Sequence, residues 1–171
     1  MATRTAFFID AANMFYAQRE LQWNIDYKKL YEYFSQNKEV YNAFYYTGTK
    51  GSKLETGFHR KLTFLGYTVR TKNVKKIKGK AGSFSEKCNL DIEIVIDMFN
   101  TETHYDQAIV FSGDSDFERA LELLRSKGKT ITVVSTEGMI SWNLLNAADN
   151  FIDLKDIRQY IERIEKNSAP P

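Results

Sequence analysis

Two short apolar runs in this chain each finish in carboxylates, and no other feature limits its architecture as much. Residues 5–9, Thr5-Ala6-Phe7-Phe8-Ile9, lead into Asp10, and residues 107–111, Gln107-Ala108-Ile109-Val110-Phe111, lead into Ser112-Gly113-Asp114-Ser115-Asp116. Near-continuous apolar runs of this length suit strands buried on both faces, as in a parallel sheet covered by helices. Open parallel sheets bind ligands beyond the carboxyl ends of their strands. Asp10, Asp114 and Asp116 are therefore expected to meet at one edge of the fold.

The rest of the chain alternates in the same way. Helices are expected over residues 14–21, 27–34 (capped by Asp26), 54–65 (ended by Gly66), 89–99, 115–126 (ended by Gly128), 142–147 (capped by Ser141) and 156–165. Between them, residues 40–47, 67–71, 130–135 and 151–154 read as strands. Strands separated by helices need crossover connections, so the pattern predicts an α/β sandwich around a mostly parallel sheet. Residues 75–85, with many lysines, several small residues and no apolar period, read as a mobile surface loop. With 171 residues, 43% of them hydrophobic, the chain is expected to form one domain over residues 1–167, with a frayed tail at 168–171.

Composition narrows the chemistry. Cys88 is the single cysteine and His59 and His104 the two histidines, so no tetrahedral Cys/His zinc site is available and any metal has to be held by oxygen. No apolar stretch approaches the roughly 18 residues of a membrane span and no signal sequence is evident, which predicts a cytoplasmic protein without a membrane partner. The net charge of +2 hides a segregation: residues 48–87 carry eleven Lys/Arg against two Asp/Glu, and residues 88–171 carry eight against fifteen. Such asymmetry points to a polyanion on one region and to cation binding or plain solvation on the other.

Aspartates gathered at one edge repel one another and lose solvent, and an oxygen-only site of that kind suits Mg²⁺ or Mn²⁺. The competing reading is helix capping, which accounts for one such aspartate better than for three. Asp91, at the start of a helix, is either a first-turn acid favoured by the helix dipole or a fourth ligand. Asp97 lies roughly 120° further round that helix and ranks lower. Asn13 is a helix cap or an amide that orients a water or a scissile phosphate. Ser112 and Ser115 are candidate donors to phosphate or to the carboxylates, and Gly113 allows close backbone approach. No serine nucleophile is suggested, since the G-x-S-x-G pattern is absent. Lys75, Lys76, Lys78 and Lys80 form either a solvated face or a flap that neutralises nucleic-acid phosphates. Tyr45, Tyr46 and Phe84 either stack on unpaired bases or fill the core.

The segments Phe8-Ile9-Asp10-Ala11-Ala12-Asn13, Asn89-Leu90-Asp91 through Asp97, and Ser112-Gly113-Asp114-Ser115-Asp116-Phe117 together resemble the NYN domain, in the LabA-like branch of the PIN-like nuclease superfamily. The resemblance runs over roughly residues 4–155. It implies a Rossmann-like three-layer α/β/α sandwich and metal-dependent cleavage of RNA. Asp10, Asp91, Asp114 and Asp116 match the acidic metal-site positions, and Asn13 the asparagine after the first aspartate. One departure is the approach to Asp91: Lys87-Cys88-Asn89-Leu90 stands where many relatives have a lysine and a glycine closer to the helix.

Three functions follow for comparison. The leading one is a ribonuclease using one or two divalent ions to activate water for attack on phosphorus, with DNA also open as a substrate. The second is an RNA-binding or regulatory module with little turnover. The third, a phosphatase using Asp10 as nucleophile, lacks a second acid two residues on, where Ala12 stands. Protein partners are not indicated by the sequence.

Overall fold

The computed structural model describes residues 2–78 and 84–164, with side chains of 76–87 left aside. Fifteen helices and strands follow in chain order: β1 (Thr3–Asp10), α1 (Ala11–Leu21), α2 (Tyr27–Ser35), β2 (Lys38–Thr49), α3 (Lys53–Phe64), β3 (Tyr67–Asn73), β4 (Lys75–Lys78), β5 (Phe84–Lys87), α4 (Asp91–Asn100), β6 (Gln107–Phe111), α5 (Glu118–Ser126), β7 (Thr130–Ser135), α6 (Trp142–Ala147), β8 (Asn150–Asp153) and α7 (Arg158–Ile161). A 3₁₀ turn, Ser115–Phe117, joins β6 to α5.

Six strands form a parallel sheet in the order β3-β2-β1-β6-β7-β8. Alternate residues of each strand enter different cores. Phe7, Ile9, Tyr45 and Phe111 pack with Met14, Leu30, Phe34, Leu62 and Ile161 on one face. Phe8, Phe44, Tyr46 and Val110 pack with Ile94, Met98, Leu121 and Leu144 on the other. The period of two in the strands thus builds a three-layer α/β/α sandwich, the expected fold class.

The chain winds outward from the middle of this sheet in two directions, β1 to β2 to β3 on one side and β6 to β7 to β8 on the other. The reversal falls between β1 and β6, the crevice where parallel sheets receive ligands. Ile9 is paired with Phe111, so the next residues, Asp10 and Ser112, leave the sheet side by side at that crevice.

Two local expectations are corrected. The loop expected over residues 75–85 contains an antiparallel hairpin, β4 with β5, in which Lys76 stands opposite Glu86 and Ile77 opposite Ser85. Lysine is depleted in strands, which hid two four-residue strands whose backbone groups satisfy each other. The helix expected over 156–165 is a single turn, α7, preceded by turn residues 154–157. Residues 79–83, Lys80 among them, and the tail expected to fray at 168–171 lie outside the described residues. No helix among the described residues is long and apolar enough to cross a membrane.

Candidate functional site

The crevice is assembled from three chain segments. Asp10 ends β1 and caps α1, its Oδ1 accepting from the Asn13 N–H at 3.1 Å. Its Oδ2 accepts from the Ser112 hydroxyl at 3.1 Å, and the same Ser112 oxygen accepts the Asp114 N–H at 3.3 Å. Ser112 is fully buried, so its hydroxyl is committed to tying Asp10 to the turn after β6. Asp114 Oδ1 accepts from the Asp116 N–H at 3.0 Å, which starts the 3₁₀ turn. Asp10 and Asp114 are therefore caps as well, but capping leaves lone pairs on both carboxylates and explains neither their proximity nor that of Asp91.

Asn13 does not cap a helix. Its Oδ1 accepts the Gly113 N–H at 3.0 Å. Because a backbone N–H can only donate, that contact fixes which end of the amide is oxygen and leaves Nδ2 as a donor with no acceptor among the described residues. Gly113 is required by close approach: a Cβ there would lie 2.4 Å from the Met139 carbonyl oxygen. The Ser141 N–H in turn donates to the Gly113 carbonyl at 3.1 Å.

The third segment is the start of α4. Asn89 Oδ1 accepts the Asp91 N–H at 2.8 Å while Asn89 Nδ2 donates to Asp91 Oδ2 at 2.6 Å. One oxygen each of Asp91, Asp114 and Asp116 lies within 4.8 Å of the others. Asp10 stands outside that triad and lines, with Asn13, Asp91 and Asp114, an open cleft of about 530 Å³. Burial pushes the Asp10 carboxyl above its ordinary pKa against the pull of the Asn13 N–H and the Ser112 hydroxyl, and Asp91 and Asp114 push it further. Asp91 is raised first by burial and then by Asp114, Asp116 and Glu93, with the Asn89 amide opposing. Asp114 thus disfavours the charged forms of both Asp10 and Asp91, and the described ion pairs bring these acids no compensating cation. An all-oxygen set of closely spaced carboxylates fits a hard divalent ion.

Two cations of the basic segment are paired near the crevice. Lys72 of β3 bonds Glu93 at 2.7 Å and the Asn89 carbonyl at 3.0 Å, which braces the entry to α4. Arg70 pairs with Asp97 at 3.1 Å, and the Tyr46 hydroxyl donates to the same carboxylate at 3.0 Å, so Asp97 is held away from the triad by its own partners. Tyr45 and Tyr46, weighed as stacking residues, are 6% and 1% exposed and belong to the two cores. Ser115 is exposed on the 3₁₀ turn, and Lys75 is exposed at the start of the hairpin. The side chains of Lys76, Lys78, Phe84 and Lys87 lie outside the described residues, as does Lys80. The large cleft side chains that the sequence did not mark are Phe15 and Tyr16. Only their place in α1, off the buried stripe Ala11, Met14 and Ala17, distinguishes them from core aromatics.

Comparison with known proteins agrees with this frame. The chain is 51% identical over 168 residues to the low amplitude and bright protein LabA of Synechococcus elongatus, covering 96% of this chain and 90% of that one. A crystal structure of a Vibrio parahaemolyticus protein of unknown function superposes with a TM-score of 0.78 at 28% identity, covering 94% of this chain and 96% of the other. The NYN domain family model matches residues 4–157, and with that extent of agreement the chain belongs to the NYN domain family.

Proposed function

We propose that this protein is a divalent-metal-dependent ribonuclease. The observation that carries the reading is the acidic triad Asp91, Asp114 and Asp116, within 4.8 Å of one another at the crevice that Asp10 also lines. Membership of the NYN family, on the PIN-like nuclease side of known folds, supports the same class of chemistry.

In this reading Asp91, Asp114, Asp116 and Asp10 hold Mg²⁺ or Mn²⁺, which when bound supplies Lewis acidity and water of lowered pKa. The chain's own groups do the rest. Asn13 Nδ2, the free end of the amide clamped to Gly113, donates to an oxygen of the scissile phosphate. Ser115, exposed beside Asp114 and Asp116, offers a second donor. Ser112 touches no substrate; it positions Asp10 and the Asp114 backbone. Lys75, together with Lys76, Lys78 and Lys80, neutralises phosphates away from the cut. Water attack in line on phosphorus forms a new P–O bond and breaks the bond to the leaving 3′ oxygen, which takes up a proton as the attacking water gives one to solvent, leaving a 5′-phosphate and a 3′-hydroxyl.

The test is incubation of purified protein with labelled single-stranded, duplex and tRNA-like RNA, and with matching DNA, in Mg²⁺, Mn²⁺ or EDTA. Cleavage that needs the ion and is lost in Asp114→Asn supports the reading. Binding without cleavage under every ion condition replaces it with the binding-module reading.

A further inference from the structure

We propose that Phe15 and Tyr16 form a stacking ledge for unpaired bases, which makes single-stranded nucleic acid the substrate class of this cleft. The inference rests on the cleft being a nucleic-acid site.

Helix α1 leaves the sheet directly at Asp10, so its first two turns wall the cleft. One stripe of that helix, Ala11, Met14 and Ala17, is buried. Phe15 and Tyr16 point elsewhere and are 54% and 57% exposed. Both line the cleft that holds Asp10, Asn13, Asp91 and Asp114. Leaving two large rings in water forgoes burial energy that aromatic side chains ordinarily gain, and isolated exposed aromatics need no explanation, but a pair on the wall of an acidic cleft does.

The arrangement matches what a base requires. Tyr16 is three residues from Asn13 and so shares its face of the helix, about one turn from the amide assigned to the phosphate. The two rings meet edge to face, with centroids 5.6 Å apart and planes at 73°. In that geometry the edge of one ring covers at most one face of the other, so each ring keeps a face that its partner does not cover. Phe15 also borders a second depression that contains Arg19, whose guanidinium lies over the Phe15 ring, 5.9 Å from its centroid. A strand crossing from the acidic triad over the ledge would thus meet a cation at its Phe15 end. Every base has a π face, whereas a base inside a duplex is already stacked on both sides, so a ledge of this kind selects unpaired strands without selecting sequence.

The experiment measures binding of a short fluorescent single-stranded RNA, the same-sequence DNA and a duplex to the full chain, in Ca²⁺, at several salt concentrations. Removing a stacking aromatic should weaken single-strand binding by about 5- to 150-fold per base lost, and F15A/Y16A should do so with an unchanged salt slope and unchanged duplex binding. F15W/Y16W should restore affinity, F15L/Y16L should not, and 2-aminopurine in the strand should be quenched by wild type and by the Trp variant alone. Loss in the Ala variant that Leu restores would make the ledge a packing feature and overturn the proposal. So would equal binding of single strands by wild type and F15A/Y16A, the outcome expected if the ledge receives a protein. Cleavage by the wild type is scored separately in Mg²⁺: stacking without cleavage removes the ribonuclease reading alone, and cleavage unaffected by F15A/Y16A removes the ledge alone.

Discussion

The side-chain oxygen of Asn13 accepts the backbone N–H of Gly113 at 3.0 Å, joining the first turn of α1 to the turn after β6 across 100 residues of chain. The bond ties together the two elements that flank the switch point, and it also aims the other end of the amide. Replacing Asn13 by Ala leaves a buried N–H without a partner, so it is expected to cost roughly 1–3 kcal/mol of stability. Urea denaturation of N13A against wild type checks this, and a midpoint within error of wild type would show that the clamp is dispensable.

Asp114→Asn removes a carboxylate charge from the crevice while keeping an oxygen for the Asp116 N–H. Partners one step removed from a metal typically cost 10- to 100-fold when lost, so a direct ligand should cost at least about 100-fold in cleavage. Metal-free stability should hold or rise, because one repelling carboxylate is gone. Cleavage rate and melting temperature of the same preparation, the latter in EDTA, measure both effects.

The raised carboxyls give the metal-free protein a pH dependence of defined sign. Asp10 and Asp91 sit above the ordinary aspartate value of 3.8 when folded, so the folded chain binds more protons than the unfolded one. Their contribution to stability is present below that value and is lost as pH rises through the raised ones. In EDTA, replacing both by Asn should therefore flatten the fall in melting temperature that sets in as pH rises above about 4. Mg²⁺ or Mn²⁺ should raise the melting temperature of wild type more at pH 7 than at pH 4.5, since only the folded chain offers the site. A calorimetric titration with no uptake at pH 7 would count against the triad.

Gly113→Ala places a methyl 2.4 Å from the Met139 carbonyl, too close for any side-chain adjustment to relieve. Backbone shifts in packed regions cost about 1–3 kcal/mol, and here they would move Asp114 as well. The variant should lose stability and metal affinity together, which parallel denaturation and metal titration would reveal.

Replacing Lys75, Lys76, Lys78 and Lys80 by Ala should weaken RNA binding and flatten its salt dependence by roughly 0.7 in slope for each lysine that meets a single-strand phosphate, while metal binding changes little. Fluorescence anisotropy across a salt series reads the slope. An unchanged slope would take the hairpin off the RNA surface.

The strands ending in Asp10 and at Phe111 were legible because their cores are apolar on both faces, and the caps at Asp26 and Ser141 because each serves its own helix. What the sequence did not disclose depends on pairing between distant segments. Asp97 is defined by Arg70 and Tyr46, Asn13 by Gly113, and Ser112 by Asp10, and none of these partners is near in sequence. The hairpin was hidden by lysines that disfavour strands, and Tyr45 and Phe15 look alike as letters although one is buried beneath the cleft and the other stands exposed on its wall.

The position of the crevice between β1 and β6 also sets when it can exist during folding. Those strands are parallel neighbours yet lie about 100 residues apart in the chain, with β2, β3 and the hairpin between them. Closing so long a loop is entropically slow, and contacts of that range form late when local ones are available. The triad Asp91, Asp114 and Asp116 lies wholly within residues 84–164, whereas Asp10 and Asn13 come from the first half and bond Ser112 and Gly113 only once the halves meet. Protection of the Gly113 N–H, which donates to Asn13, is therefore a clock for the docking of the two halves of the sheet, readable by pulsed hydrogen exchange without any substrate.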